Sequence, residues 1–244
     1  MKRLLILGGT GDATKLTSEA SQLSGVEIIY SLAGRTRKPS LPDCETRIGG
    51  FGGAAGLAAY MSDAKIDLVI DATHPFAANM AAHATEACTQ TNIPRLKFCR
   101  TPWASGDISW QSVNTYAEAA AALSTMGDRV FLSIGTKELD AFSGLSDKWF
   151  FLRAVEEPAL PVPLLNHGLL LERGPFDEGH ERTLMVTYQI DVLVSKNSGG
   201  AMAEKLQAAH DLNIPILMIE QPAMPEGEVV ESIEDTLDWL AKHL

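Results

Sequence analysis

Apolar residues in this chain come in short runs that stop at glycine-, proline- or polar-rich turns. Most runs are followed by a segment whose apolar positions recur at helical spacing. The first run, Arg3-Leu4-Leu5-Ile6-Leu7, ends at Gly8-Gly9-Thr10-Gly11, and Ala13, Leu16, Ala20 and Leu23 then repeat every three or four positions. A short continuous apolar run bounded by turn residues reads as a strand buried on both faces, and the wider spacing as an amphipathic helix. Strands are predicted near 3–8, 26–32, 45–48, 67–72 and 95–99, and helices near 13–23, 54–63 and 76–91. The stretch Thr101-Pro102-Trp103-Ala104-Ser105-Gly106-Asp107 interrupts the pattern, which then restarts. A helix near 116–125 precedes strands near 129–134 and 149–154, and Pro158, Pro161 and Pro163 mark a rigid crossover. A helix near 176–189, a strand near 191–195, a helix near 201–211, a strand near 215–219 and a helix near 232–243 complete the chain.

Strands alternating with helices imply an α/β fold with mainly parallel sheets. The break after Thr101 divides it into two Rossmann-like domains, 1–105 and 106–244, with a cofactor cleft expected between them. A weak internal echo supports the duplication. Asp67-Leu68-Val69-Ile70-Asp71 leads through a helix to Asn92-Ile93-Pro94, and Asp191-Val192-Leu193-Val194-Ser195 leads through a helix to Asn213-Ile214-Pro215. Chance similarity between two ordinary βαβ units is the competing account.

Composition narrows the function classes. The 244 residues are 45% hydrophobic and carry a formal net charge of −11, with no basic tail, which argues against nucleic acid as a partner. No apolar run reaches the roughly 18–20 residues that span a bilayer, and the amino terminus reads as a strand and not as a secretion signal. The expectation is a cytoplasmic protein, monomeric or weakly oligomeric, without a membrane. Cys44, Cys88 and Cys99 lack CxxC spacing and the six histidines form no paired ligand motif, so neither disulfides nor a metal are expected.

Candidate chemistry gathers at strand ends. A strand running through Gly8, Gly9, Thr10, Gly11 and Asp12 into a helix places backbone N–H groups and a helix amino terminus around a phosphate. Thr14 stands at the third fingerprint position instead of Gly or Ala, and tight packing alone also explains such a turn. The second strand ends in Ser31-Leu32-Ala33-Gly34-Arg35, without the acidic residue that binds a ribose hydroxyl. Ser31 and Arg35 sit where a 2′-phosphate would lie, which selects NADP(H) over NAD(H), although 35–38 is equally describable as a solvated basic loop. Gly49-Gly50-Phe51-Gly52-Gly53 lets backbone approach a ligand, with Phe51 against a ring.

Asp71-Ala72-Thr73-His74-Pro75-Phe76 places Thr73 and His74 at a strand-to-helix junction, where His74 serves as a proton donor or merely orients the cofactor. Lys196-Asn197-Ser198-Gly199-Gly200 forms an anion nest before a helix, with a plain Ser198 N-cap as the rival reading. Lys137 and Arg153, at or near two other strand ends, join Lys196 as candidates for binding carboxylates.

Together these loops resemble the precorrin-6A reductase family of cobalamin biosynthesis. The generic glycine turn contributes little. The strings Asp71-Ala72-Thr73-His74-Pro75-Phe76-Ala77 and Ser195-Lys196-Asn197-Ser198-Gly199-Gly200 are far more specific, and the order and length of the whole chain agree. The resemblance implies NADPH-dependent reduction of a double bond in the metal-free tetrapyrrole precorrin-6A, giving precorrin-6B. It implies direct hydride transfer, a polycarboxylate substrate held by Lys137, Arg153, Lys196, Asn197, Ser198, Gly199 and Gly200, and His74, Lys137 and Lys196 as candidate proton donors. The cofactor would contact Gly8, Gly9, Thr10, Gly11, Asp12, Ser31, Arg35, Gly50, Phe51, Gly52, Thr73 and His74. The cobalt-precorrin branch, reduction of another small metabolite, and a non-catalytic NADP(H) sensor are the rival functions.

Overall fold

The computed structural model describes residues 1–34 and 41–244. Arg35 and the rest of the basic loop to Lys38 lie outside the described residues. The chain forms two compact units, Met1–Thr101 with Pro222–Leu244, and Pro102–Gln221.

The first unit contains β1 (Lys2–Leu7), α1 (Gly11–Ala20), β2 (Val26–Leu32), β3 (Glu45–Ile48), α2 (Ala54–Asp63), β4 (Leu68–Asp71), α3 (Ala78–Thr91) and β5 (Arg95–Phe98). The second contains β6 (Gln111–Val113), α4 (Tyr116–Leu123), β7 (Arg129–Ser133), a 3₁₀ turn at Leu139–Phe142, β8 (Trp149–Ala154), β9 (His167–Leu171), α5 (Glu178–Thr187), β10 (Val192–Lys196), α6 (Glu204–Asp211) and β11 (Ile216–Ile219). The chain then returns to the first unit with β12 (Glu228–Val230) and α7 (Ile233–His243).

Both sheets are parallel, in the orders β3-β2-β1-β4-β5-β12 and β9-β8-β7-β10-β11-β6. Each is the 3-2-1-4-5-6 order of a Rossmann sheet. In each unit the sixth strand is borrowed from a distant part of the chain: β12 follows the whole second unit, and β6 precedes β7 instead of following β11. This corrects the division at 105/106. The last residues belong to the first unit because β12 pairs with β5 (Glu228↔Leu96, Val230↔Phe98) and α7 buries Trp239 and Leu240 in the first core.

The apolar runs are continuous because both faces of the first sheet are covered. Leu4, Ile6, Ile28, Tyr30, Leu68 and Ile70 pack against α1 and α7 through Leu16, Ala20, Trp239 and Leu240. Their neighbours Leu5, Leu7, Ile29 and Val69 pack on the opposite face against Leu57 and Met61 of α2 and Ala84 and Cys88 of α3. Burying one such leucine contributes roughly 1.5–3 kcal/mol. In the second unit Phe131, Phe151, Leu193 and Met218 face Leu184 and Met185 of α5 and Leu206 and Ala209 of α6.

The internal echo has a structural basis. It maps to β4-α3-β5 and β10-α6-β11, the same position in each sheet. Asn92 and Asn213 end their helices in the left-handed region at φ 53° and 54°. The following Ile N–H groups reach back to Cys88 O at 3.1 Å and Ala209 O at 2.8 Å, and Pro94 and Pro215 each accept from the neighbouring strand at 3.0 Å. Asn tolerates that backbone conformation, which is why Asn-Ile-Pro recurs.

Candidate functional site

Ligands of open α/β sheets bind outside the carboxyl ends of the strands, where the order reverses. In the first unit that point lies between β1 and β4, and the chain after each strand is the loop that the sequence singles out. Ala72 N–H donates to Leu7 O at 2.9 Å and the Thr10 hydroxyl to Ala72 O at 3.3 Å, which fastens the two loops together. Thr10 also caps α1, its hydroxyl accepting from Ala13 N–H at 3.0 Å.

The glycine turn is shaped by Tyr30 below it. A Cβ on Gly8 would lie 2.2 Å from the buried Tyr30 ring, so only glycine fits. Gly9, at φ +111°, donates its N–H to the Tyr30 hydroxyl at 3.1 Å. Thr14, the departure from the dinucleotide fingerprint, reaches the same hydroxyl at 3.3 Å and donates to Thr10 O. The Gly9 amide is therefore committed inside the fold. Gly11, by contrast, has nothing within 4 Å of where a Cβ would stand, beside the amino terminus of α1. Asp12 is held by Arg100, whose Nε lies 2.5 Å from its carboxylate. That pairing offsets a negative charge that would oppose a phosphate at the helix end.

At the second loop the positions of a Cβ on Gly49, Gly50, Gly52 and Gly53 are all open. Arg47, near the end of β3, organises it. Its guanidinium donates to Ser31 Oγ at 3.1 Å, to Gly49 O at 2.8 Å and to Gly50 O at 3.1 Å, and lies 3.8 Å from the Phe51 ring centroid. Arg47 was not among the candidates. The signal was present in an arginine two residues before Gly49 on the strand beside Ser31 (register Ser31↔Arg47). The glycine loops, Ser31 and Arg47 thus fit a dinucleotide bearing a 2′-phosphate: open backbone for the phosphates, and a fork-shaped cation where the acidic ribose-binding residue is missing.

The third loop is braced from below. Thr73 N–H and hydroxyl both bond Asp71 Oδ1, at 3.1 and 2.6 Å, and Lys97 Nζ donates to Thr73 O at 3.1 Å. His74 Nδ1 accepts from Phe76 N–H at 3.2 Å, so the neutral ring carries its proton on Nε2. Residues 74–77 form a turn, and α3 starts at Ala78 without a side-chain cap. The helix expected from about residue 76 therefore begins two residues later.

The second unit has its own strand-end cluster. Asn197 is buried, its oxygen accepting from Trp103 N–H at 2.8 Å and its amide donating to Trp103 O at 2.9 Å and Glu220 at 2.8 Å. Its side chain shapes the loop, and Trp103 Nε1 supports the next turn by donating to Gly200 O at 3.0 Å. Because α6 begins at Glu204 with Ala203 as N-cap, Ser198 is not its cap and Gly199 and Gly200 do not directly precede the helix. Arg153, 10% exposed, pairs with Glu181 at 2.6 Å, and Lys196 lies 5.5 Å from the Tyr116 ring centroid. Lys137 is exposed in the turn after β7. The sequence reading missed Lys205, whose Nζ donates to Ser133 Oγ at 2.8 Å.

The family model described as precorrin-6x reductase CbiJ/CobK matches residues 3–241. A precorrin-6A reductase of Rhodococcus erythropolis is 43% identical, covering 98% of both chains. One from Rhodobacter capsulatus is 43% identical over 100% of this chain and 97% of its own. A cobalt-precorrin-6A reductase of Priestia megaterium is 26% identical over 97% of each. The solved structure of a CobK precorrin-6A reductase superposes with a TM-score of 0.92 at 42% identity, covering 100% of this chain and 97% of that one.

Proposed function

The chain belongs to the precorrin-6x reductase CbiJ/CobK family, and we propose from this that it reduces precorrin-6A to precorrin-6B in cobalamin biosynthesis, with NADPH as reductant. The observation that carries the reading is full-length identity of 43% to proteins named for the metal-free substrate, against 26% to one named for the cobalt form. The net reaction consumes precorrin-6A, NADPH and a proton and yields precorrin-6B and NADP⁺.

When bound, NADPH supplies the hydride, and the protein's part is to orient the reactants, exclude water and deliver a proton. The Gly8–Asp12 turn and the amino terminus of α1 receive the pyrophosphate. Ser31 and Arg47 would hold the 2′-phosphate, and Arg35 is a further candidate from the sequence. Gly50, Phe51, Gly52, Thr73 and His74 would contact the coenzyme. Arg153, Lys196 and Lys137 provide the positive charge for the acetate and propionate groups of the substrate in a chain whose net charge is −11. The backbone of Ser198, Gly199 and Gly200 offers further N–H donors, while Asn197 holds their loop in place. Three free thiols, Cys44, Cys88 and Cys99, suit a reducing cytoplasmic setting. Among the described residues no helix is long and apolar enough to cross a membrane.

The test is anaerobic incubation of the protein with NADPH and precorrin-6A. The expected result is loss of nicotinamide absorbance in step with formation of a dihydro product. Intact substrate with unchanged absorbance would leave an NADP(H)-binding sensor or a reductase of another metabolite.

A further inference from the structure

We propose that Phe51 and Tyr60 are positioning residues for coenzyme choice, forming an aromatic seat that fixes the Arg47 guanidinium for the 2′-phosphate. The proposal rests on the reading of the first unit as an NADP(H) site.

Every part of the seat belongs to the first unit. Arg47 is the third residue of β3, beside Ser31 of β2. Phe51 lies in the glycine loop that follows, and Tyr60 in the second turn of α2. The Arg47 Cζ is 3.8 Å from the Phe51 ring centroid and 5.0 Å from that of Tyr60. The two rings are 5.3 Å apart and tilted by 58°, a favourable geometry for an aromatic pair. Both pack on the apolar cluster that contains Leu57, Met61 and Val69. A Cβ on Gly56 would lie 1.8 Å from Phe51 O, so glycine there lets the Phe51 backbone rest against the first turn of α2. The core therefore fixes the platform before a ligand arrives.

The hydrogen bonds of Arg47 leave a defined remainder. Nη1 gives both its hydrogens, to Ser31 Oγ and Gly49 O, and Nη2 gives one to Gly50 O. The Nε–H and the second Nη2 hydrogen have no hydrogen-bond partner among the described residues. Two such N–H groups on one side of a guanidinium match two oxygens of a phosphate. Among the described residues Arg47 also forms no ion pair. Glu45, two positions earlier on the strand, pairs with Arg3 at 3.6 Å instead. Arg47 thus keeps its full charge in a chain whose net charge is −11.

Face and edge of the guanidinium do different work. The flat face takes the attraction of the aromatic ring, and the hydrogen bonds lie in the plane, so the seat holds the group without using its N–H donors. A lysine could not do both. An arginine already fixed loses less conformational freedom when it grips the phosphate. That gain reaches NADPH and not NADH, because NADH has no phosphate on the ribose. Whatever else Phe51 touches, its ring acts on the choice between them through Arg47.

The test is calorimetric titration with NADPH and with NADH, without tetrapyrrole, reading the ratio of the two affinities. We expect Phe51→Leu to lower the NADPH preference about fivefold or more and Tyr60→Leu to lower it less, since its ring is farther from the cation. Phe51→Tyr, which keeps a ring face, should restore the parent ratio. In an Arg47→Ala background Phe51→Leu should leave the ratio where Arg47→Ala alone puts it. An unchanged ratio in Phe51→Leu, an equal loss for both nucleotides, or the same change with and without Arg47 overturns the assignment. If Phe51→Leu does not fold, the parent protein decides. Its Arg47 Nε–H resonance, identified by its absence from Arg47→Lys, should move with adenosine 2′,5′-bisphosphate and not with adenosine 5′-diphosphate. A resonance that both nucleotides move alike, or neither moves, overturns the proposal. A parent protein that binds neither coenzyme ends the NADP(H) reading itself, whereas tight NADPH binding with a ratio insensitive to Phe51 ends this proposal alone.

Discussion

Asp71 and Lys97 stand opposite each other in the register of β4 and β5, with Lys97 Nζ 3.1 Å from Asp71 Oδ1 and both side chains essentially sealed from solvent. The pair carries the loop that presents Thr73 and His74, because Lys97 also bonds Thr73 O and Asp71 also bonds the Thr73 hydroxyl. Removing one member strands the other charge. Lys97→Met is expected to cost roughly 3–5 kcal/mol of stability, measured by urea unfolding. The double variant Asp71→Leu/Lys97→Met should recover much of that loss while still binding coenzyme poorly.

Gly8 and Tyr30 make a second coupled pair. Gly8→Ala forces a methyl group into the Tyr30 ring and is expected to cost about 1–3 kcal/mol. Shrinking the ring should relieve the clash, so Gly8→Ala/Tyr30→Leu is expected to unfold at higher urea than additivity of the two single variants predicts. Additive losses would show that the turn yields without strain.

Arg47 decides coenzyme choice in the proposed site. Arg47→Ala should weaken NADPH binding by about 1.5–3 kcal/mol and NADH binding far less, read by calorimetric titration. Arg35→Ala is expected to act in the same direction. Equal losses for the two nucleotides would remove these arginines from the 2′-phosphate.

Much of this site could be read from residue order, and the omissions have identifiable causes. Strands buried on both faces stand out as apolar runs, so β1, β2, β4, β7, β8 and β10 were visible. The missed strands β6, β9 and β12 are edge strands of three to five residues, largely exposed or only half-buried. A run such as Glu228-Val229-Val230 carries too little apolar pattern to signal its place beside β5. The loops were recognisable from glycine and from Asp-Ala-Thr-His-Pro. Arg47 and Lys205 were not, because their importance lies in partners across a sheet and across a helix, Ser31 and Ser133, which spacing along the chain does not reveal.

The environment of Lys205 also predicts a pH effect on folding. Its pKa is about 8 when folded and returns to the ordinary lysine range when unfolded. Below pH 8 both states are protonated and the folded state bears the full desolvation penalty. Between about pH 8 and 10.5 the folded state sheds its proton first and the penalty fades, so this residue makes stability rise with pH. Lys205→Met should therefore gain on the order of 3 kcal/mol at most at pH 7 and much less at pH 10, compared by urea titration at the two values. An equal gain at both pH values would contradict the shifted pKa.

The return of the chain to its first unit predicts which truncations survive. Residues 1–105 alone lack β12 and leave Leu16 and Ala20 without Trp239 and Leu240. That fragment is expected to be unfolded by circular dichroism. Joining 1–101 to 222–244 through a short linker should restore a cooperative unfolding transition.

The borrowed edge strands also order events during synthesis. Nascent domains usually fold in turn as they leave the ribosome, but here the sheet of the first unit stays one strand short until β12 is made. Its partner sheet receives all six strands by residue 219. The half encoded second therefore reaches a finished state first, and a premature stop near the carboxyl terminus damages the half encoded first.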